Sequence, residues 1–181
     1  TNPCGVGIEE KQVDSYKRAL ECDPVSAFGS VIGFNDIVSE ETAEEMRSLF
    51  VEVVVAPEFE EEALKIFQRK KNLRILKCPG LASFPITGVD VRAVPGGLLV
   101  QDRDSFSKEE FDNWSVVTPR VPSLSEVKAL KIAWSIVRHV KSNAIVLANE
   151  TGTIGVGAGQ MSRVDSTQLA VSRSVLPVDG C

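Results

Sequence analysis

The hydrophobic and polar positions in the first half of the chain alternate between helical and strand periods. Apolar side chains recur about every 3.6 residues in the predicted helices and form short, nearly continuous runs in the predicted strands. In chain order the predicted elements are a helix at 11–22, a strand at 30–34, a helix from Ser39, a strand at 51–56, a helix at 60–70 and a strand at 73–76. This order indicates an α/β layered domain with at least partly parallel strands.

The second half has a less regular pattern until a long amphipathic helix begins at Ser123. Ser107 and Ser123 each begin a capping box, the first-turn pattern in which a serine and a glutamate satisfy free backbone N–H groups. The predicted elements are a hairpin of 89–94 with 97–101, a helix from Ser123 to about His139, strands at 144–148 and 153–156, and a helix at about 162–172. The boundary between two lobes is predicted between residues 101 and 123.

Composition narrows the class of protein. The 181 residues are 43% hydrophobic and 25% charged, with a net charge of −5, which is typical of a globular domain and disfavours nucleic-acid binding. No apolar run reaches the length of a membrane span. The cysteines at 4, 22, 78 and 181 fit neither a disulfide scaffold nor a zinc finger, so we expect reduced thiols and a cytoplasmic protein. A single histidine disfavours a histidine-based metal site.

The glycine turn Gly155-x-Gly157-x-Gly159 is the first candidate site. Its spacing matches neither the dinucleotide-binding fingerprint nor a P-loop. Such a turn serves either tight strand-to-helix packing or the close approach of a ligand to the backbone. The polar residues at the following helix start, Ser162 and Arg163, favour the ligand interpretation.

Asn143 precedes a buried strand and has two interpretations. Its amide could donate to and accept from a carboxamide or a heterocycle edge, or Asn143 could end a helix in the left-handed conformation. His139 is either a general base or, more commonly for a lone histidine near a helix end, a partner of the helix dipole. Glu52 interrupts an apolar strand, so its carboxylate faces solvent, pairs with a cation or binds a ligand.

Pro3-Cys4-Gly5 is similar to the start of the zinc signature of nucleobase deaminases. The second cysteine is missing and no H-x-E triplet precedes it. The sequence therefore argues against a deaminase and against zinc.

Eight ordered blocks together resemble the AICAR transformylase/IMP cyclohydrolase family over nearly the whole chain. They are Thr1–Gly5 (TNPCG), Asp23–Gly29 (DPVSAFG), Val51–Pro57 (VEVVVAP), Glu61–Leu64 (EEAL), Lys70–Arg74 (KKNLR), Gly96–Asp102 (GGLLVQD), Val140–Ile145 (VKSNAI) and Gly157–Asp165 (GAGQMSRVD). The resemblance implies transfer of a formyl group from 10-formyltetrahydrofolate to the 5-amino group of AICAR, without a metal. It also implies a cytidine-deaminase-like fold and a homodimer with active sites at the subunit interface.

The resemblance also implies particular site residues. Gly29, Glu52, Asn143 and Arg163 match substrate-binding positions, with Asn143 orienting the carboxamide. Val164 matches a folate-contacting position. In the family the base and the cation are a Lys-His pair directly before the Thr-Asn-Pro motif, which here begins at Thr1.

Three departures from the family pattern modify these expectations. Ser30 stands where a second glycine is expected, and Ser174–Leu176 runs directly into Pro177–Gly180 without a folate and substrate loop. We also expect the cyclohydrolase domain to be absent from this chain, and we expect two lobes at 1–105 and 106–181, both partial. We expect the chain alone to be inactive; the alternative is a noncatalytic nucleotide-binding or dimerisation module.

Overall fold

The computed structural model describes residues 2–81, 88–105 and 108–181. Its elements are α1 (Gln12–Cys22), β1 (Ser30–Gly33), α2 (Glu40–Glu45), β2 (Val51–Ala56), α3 (Glu61–Phe67), β3 (Arg74–Lys77), β4 (Val89–Val94), β5 (Gly97–Asp102), a 3₁₀ helix (Lys108–Asn113), α4 (Leu124–Val137), β6 (Ile145–Asn149), β7 (Gly152–Gly157) and α5 (Arg163–Arg173). Contacts divide the chain into a larger unit, residues 1–82 with 122–181, and a smaller unit, 83–121.

The larger unit contains a parallel sheet in the order β1-β2-β3. Ile32 pairs with Val54 and Val54 with Ile75, so β2 is the central strand. Helices connect the successive strands, as parallel pairing requires. The apolar side chains of β2 and α3 form the centre of the core; Val54 and Ala63 are fully buried. The predicted α/β arrangement with parallel strands is confirmed for this part of the chain.

A second, antiparallel sheet of the larger unit consists of β6 and β7. Residues 6–8 add an outer segment to β7: Ile8 N donates to Thr151 O at 2.8 Å and Thr153 N to Val6 O at 2.9 Å. Arg18 of α1 is buried and bonds this sheet through its guanidinium, which donates to Asn149 Oδ1, Thr151 Oγ1 and Thr153 O, each at 3.0 Å. These bonds fix α1 against the antiparallel sheet.

Helix α5 packs directly on the glycines of β7. A side-chain Cβ at Gly155 would overlap the carbonyl oxygen of Ala170, and one at Gly157 would overlap that of Ser166. Both glycines are therefore required by backbone-to-backbone contact, which confirms the packing interpretation for these two positions.

The smaller unit contains the hairpin of β4 and β5, in which Val91 pairs with Val100. Pro95 and Gly96 form its turn, as the sequence predicts, and Gly96 has a φ of 86°. The 3₁₀ helix brings Phe111 and Trp114 into an edge-to-face contact at 4.9 Å between ring centroids.

Both serine caps within the described residues match prediction. Ser39 accepts from Thr42 N, and Ser123 forms a complete capping box with Glu126. The box predicted at Ser107 involves a residue outside the described ranges, and a 3₁₀ helix rather than an α-helix follows it. The division into lobes at 1–105 and 106–181 stays a prediction. None of the described helices has the length and apolar character needed to cross a membrane.

Replacing Gly157 with alanine should lower the free energy of unfolding by at least about 2 kcal/mol, because the added methyl group displaces α5 from β7. Urea unfolding followed by circular dichroism measures the change. Gly33→Ala is the matched control, since a Cβ at Gly33 meets only Val55 Cγ1 at 3.6 Å. Equal destabilisation by the two variants would refute close packing at Gly157.

Two thiols, buried at Cys22 and partly buried at Cys4, should make the fold sensitive to alkali. Burial raises the pKa of the Cys22 thiol, and burial together with the Asp23 carboxylate raises the pKa of Cys4. The folded chain therefore holds these protons more tightly than the unfolded chain. Their contribution is complete below about pH 8 and is lost as the pH rises above about 8.5 through the folded pKa values.

Urea unfolding at pH 7, 9 and 10 tests this pH dependence. The double variant Cys4→Ser, Cys22→Ala should show a shallower loss of stability between pH 7 and 10 than the wild type. Replacing the exposed Cys181 with serine is the control and should leave the wild-type slope unchanged. Identical slopes for the wild type and the double variant would contradict the assignment.

Candidate functional site

The Asn143 side chain is fixed by two backbone carbonyl groups of the glycine turn. Its Nδ2 donates to Gln160 O at 3.1 Å and to Met161 O at 2.9 Å. The Asn143 backbone N–H also donates to Gln160 O, at 3.1 Å, and Ser166 Oγ donates to Asn143 O at 2.7 Å. The loop before β6 and the loop after β7 are thus held together at Asn143.

This geometry determines which face of the amide is open. Two acceptors surround the amide nitrogen, so the nitrogen must occupy that side and the oxygen Oδ1 the other. Within the described residues no donor reaches Oδ1. A ligand N–H group can therefore bond to Asn143, whereas the donor half of the amide is used within the protein.

The interpretation of Asn143 as a left-handed helix cap is wrong. Among the described residues other than glycine, none has a positive φ. Helix α4 ends earlier, at Val137, with Arg138 as its C-cap in a right-handed conformation. The peptide bond between Ser142 and Asn143 is cis.

Gly159 differs from the two preceding glycines of the turn. It has a φ of 68°, and a Cβ there would meet no atom within 4 Å. Its N–H donates to Lys141 O at 2.7 Å. The turn therefore needs glycine at 159 for its conformation, and the space beside Gly159 is open.

Helix α5 begins beside this turn. Ser162 caps it by accepting from Asp165 N at 3.0 Å. Arg163 and Val164 are the first two helical residues, and both side chains are exposed. Within the described part of the chain the Arg163 guanidinium forms no ion pair. Because the Asn143 side chain donates to Met161 O, Arg163 lies only two residues along the chain from a residue that Asn143 contacts.

Gly29, directly before β1, and Glu52 of β2 are the second pair of candidate residues. Gly29 has a φ of 74°, and a Cβ on it would lie 3.8 Å from Glu52 Oε1. Gly29 N donates to Phe50 O at 2.8 Å, and the Phe28 and Phe50 rings lie 5.1 Å apart. Glu52 is exposed. Among the described residues no hydrogen bond or ion pair links this pair to Asn143 or Arg163.

Asn2 also contacts the Asn143 loop, which the sequence interpretation missed. Its Oδ1 accepts from Lys141 N at 2.8 Å. Arg18 supports this arrangement indirectly, because its guanidinium donates to Thr153 O and Thr153 in turn donates to Val6 O, in the segment that follows Asn2. Neither role was visible beforehand, because each contact joins residues more than 130 positions apart and follows no local pattern.

His139 lies outside this arrangement. It is exposed, and its backbone N–H donates to Ile136 O at the end of α4. The described residues also contain no group of three or more His, Cys, Asp or Glu that could hold a metal ion.

The chain is similar to a known family of proteins. The family model described as AICARFT/IMPCHase bienzyme matches residues 1–173. The bifunctional purine biosynthesis protein PurH of Roseobacter denitrificans is 48% identical over 173 residues, which cover 96% of this chain and 33% of that protein. The PurH of Bacillus mycoides is also 48% identical, with 96% and 34% covered.

A third relative, the PurH of a Thermoanaerobacter species, is 45% identical over 174 residues and has 34% of its length covered. The chain thus spans about a third of the length of these relatives. Because the family model matches residues 1–173 of the 181, the chain belongs to the AICARFT/IMPCHase bienzyme family.

Proposed function

We propose that this chain forms part of the AICAR-binding half of a formyl-transfer site in purine biosynthesis. The observation that supports the proposal best is the oriented amide of Asn143 beside the start of α5. Its open Oδ1 can accept from the carboxamide N–H of AICAR. The exposed Arg163 can supply a cation to the same ligand, and Gly29 with Glu52 forms a further substrate contact.

Formyl transfer to this substrate needs more than binding groups. The AICAR amine is a poor nucleophile because it is conjugated with the carboxamide through the imidazole ring. Attack on the formyl carbon of 10-formyltetrahydrofolate forms a tetrahedral oxyanion. The reaction therefore needs a base for the amine proton, and a cation or donor for the oxyanion.

The hydrogen bond of Asn2 supports a location for the base and for the cation that this reaction needs. In the family a Lys-His pair directly precedes the motif that begins at Thr1. Consecutive Cα atoms are about 3.8 Å apart, and Asn2 is bonded to Lys141, two residues from Asn143. A Lys-His pair at that place would be within side-chain reach of a ligand held by Asn143. Val164, exposed on α5, would then face the folate.

The same resemblance supports the remaining features of the proposal. They are a cytidine-deaminase-like arrangement of two repeated lobes, a homodimer with sites at the subunit interface, a location in the cytoplasm and chemistry without a metal.

AICAR affinity should depend on Asn143 and Arg163. We expect Asn143→Ala to weaken AICAR binding about tenfold, through loss of one hydrogen bond and of loop order. Arg163→Ala should weaken it about tenfold or more, since bonds to a charged group are stronger. Isothermal titration calorimetry of AICAR into the 181-residue chain measures both.

Two control variants separate ligand contact from structure. Ser166→Ala removes the bond to Asn143 O without touching the amide, and should weaken binding less than about threefold. Arg173→Ala removes an arginine at the other end of α5 and should have no effect. Affinities for Asn143→Ala and Arg163→Ala equal to the wild type would remove both residues from the site.

Formyl transfer should require the preceding Lys-His pair. The 181-residue chain should produce no tetrahydrofolate from 10-formyltetrahydrofolate and AICAR. A longer polypeptide that includes the pair and the rest of the family's length should be active, and replacing the histidine of the pair with alanine should abolish its activity. Measurable transfer by the 181-residue chain would contradict this assignment.

The alternative function is a noncatalytic nucleotide-binding or dimerisation module. It predicts AICAR binding with the same dependence on Asn143, or dimer formation, but no formyl transfer by any longer form of the protein. The residues that precede Thr1 in the full gene product therefore distinguish the two functions.

A further inference from the structure

A groove of about 500 Å³ lies between the two sheets of the larger unit. One wall is the edge strand β1, and the other is the segment of residues 4–10 that borders β7. Helix α1 forms the floor of the groove, and Tyr16 is one of the α1 residues that line it. Neither Asn143 nor Arg163 lines this groove, so it is a different place from the candidate site around Asn143.

The β1 wall presents free backbone groups. The sheet order is β1-β2-β3, so among the described strands β1 has a partner on one side only. Phe34 N donates to Val55 O at 2.9 Å, which directs the backbone of Phe34 and Ile32 toward β2. Because successive residues of a strand point their backbone groups to opposite sides, the N–H and C=O groups of Val31 and Gly33 point into the groove.

The opposite wall presents free backbone groups as well. Val6 and Ile8 use their backbone bonds on β7. Gly7 forms an antiparallel bridge with Gly152 between those bonds, so its own N–H and C=O groups point away from β7. The two walls are thus two strand edges that face one groove.

Two buried hydroxyl groups lack hydrogen-bond partners, and both belong to residues that line the groove. They are Tyr16 OH and Ser30 Oγ, neither of which has a partner within the described residues. Tyr16 is only 6% exposed. A buried hydroxyl without a partner costs free energy, so these two atoms indicate a polar group that is supplied from elsewhere.

We propose that an extended segment of the family's longer polypeptide inserts into this groove as a β-strand and joins the two sheets into one. The occupant is a segment from outside the region that this chain spans, since about two thirds of the relatives' length lies there. Backbone bonds to Val31, Gly33 and Gly7 would hold it, and one of its polar groups would bond Tyr16 OH and Ser30 Oγ. This is strand addition at an exposed sheet edge.

Overlapping 12-residue peptides test the proposal. They cover the part of the Roseobacter denitrificans relative that this chain does not match, and fluorescence anisotropy measures their binding to the 181-residue chain. At least one peptide should bind. Hydrogen exchange at the Val31 and Gly33 amides should slow when that peptide is bound. This measurement detects strand pairing in the wild-type chain.

Three variants locate the binding. Val31→Pro removes an N–H that points into the groove and should weaken binding at least tenfold, while Tyr16→Phe should weaken it about three- to tenfold. Lys77→Pro is the matched control, because Cys78 N bonds β2 and the Lys77 N–H therefore points to the opposite edge of the same sheet. It should change the affinity less than twofold.

The other outcomes would overturn the proposal. They are the absence of any binding peptide, binding that leaves Val31 and Gly33 exchange unchanged, and equal weakening by Val31→Pro and Lys77→Pro. Self-association of the chain that protects the Val31 amide, seen by sedimentation velocity, would assign the groove to a second copy instead.

Discussion

The close contact between helix backbones and strand glycines holds most of the candidate site in place. On β7, Gly155 and Gly157 bring the α5 backbone against the sheet, and the segment before α1 uses Gly5 and Gly7 in the same way against Ala19 and Ser15. Any larger side chain would push the helix outward. Because α5 begins directly beyond the glycine turn, its distance from β7 also sets where Arg163 starts relative to Asn143.

Arg18 contributes a different kind of constraint. Within the described part of the chain, its buried guanidinium donates to neutral oxygens alone, on Asn149, Thr151 and the backbone of Thr153. A buried charge requires several such bonds to offset its loss of water. The residue therefore holds the turn between β6 and β7 to α1, and through Thr153 it orders the segment that leads from Asn2.

Most secondary structure followed from the sequence because local patterns determine it. The apolar runs of β2 and β6 and the serine caps at Ser39 and Ser123 are signals contained within a few residues. The bond between Asn2 and Lys141 and the guanidinium contacts of Arg18 join distant segments, so no local pattern indicates them. The glycine turn was ambiguous for a related reason: the sequence does not show which helix lies against Gly155 and Gly157.

The orientation of the Asn143 amide has a consequence for chemical selectivity. Both of its N–H bonds end on carbonyl oxygens of the protein, so toward a ligand the side chain offers only a lone pair. An amide group brought to that oxygen gains a hydrogen bond, whereas a carboxylate of the same shape would place two oxygens in repulsion at a partly desolvated position. With the proposed ligand, the backbone of the glycine turn would thereby make this asparagine favour an amide over the corresponding acid.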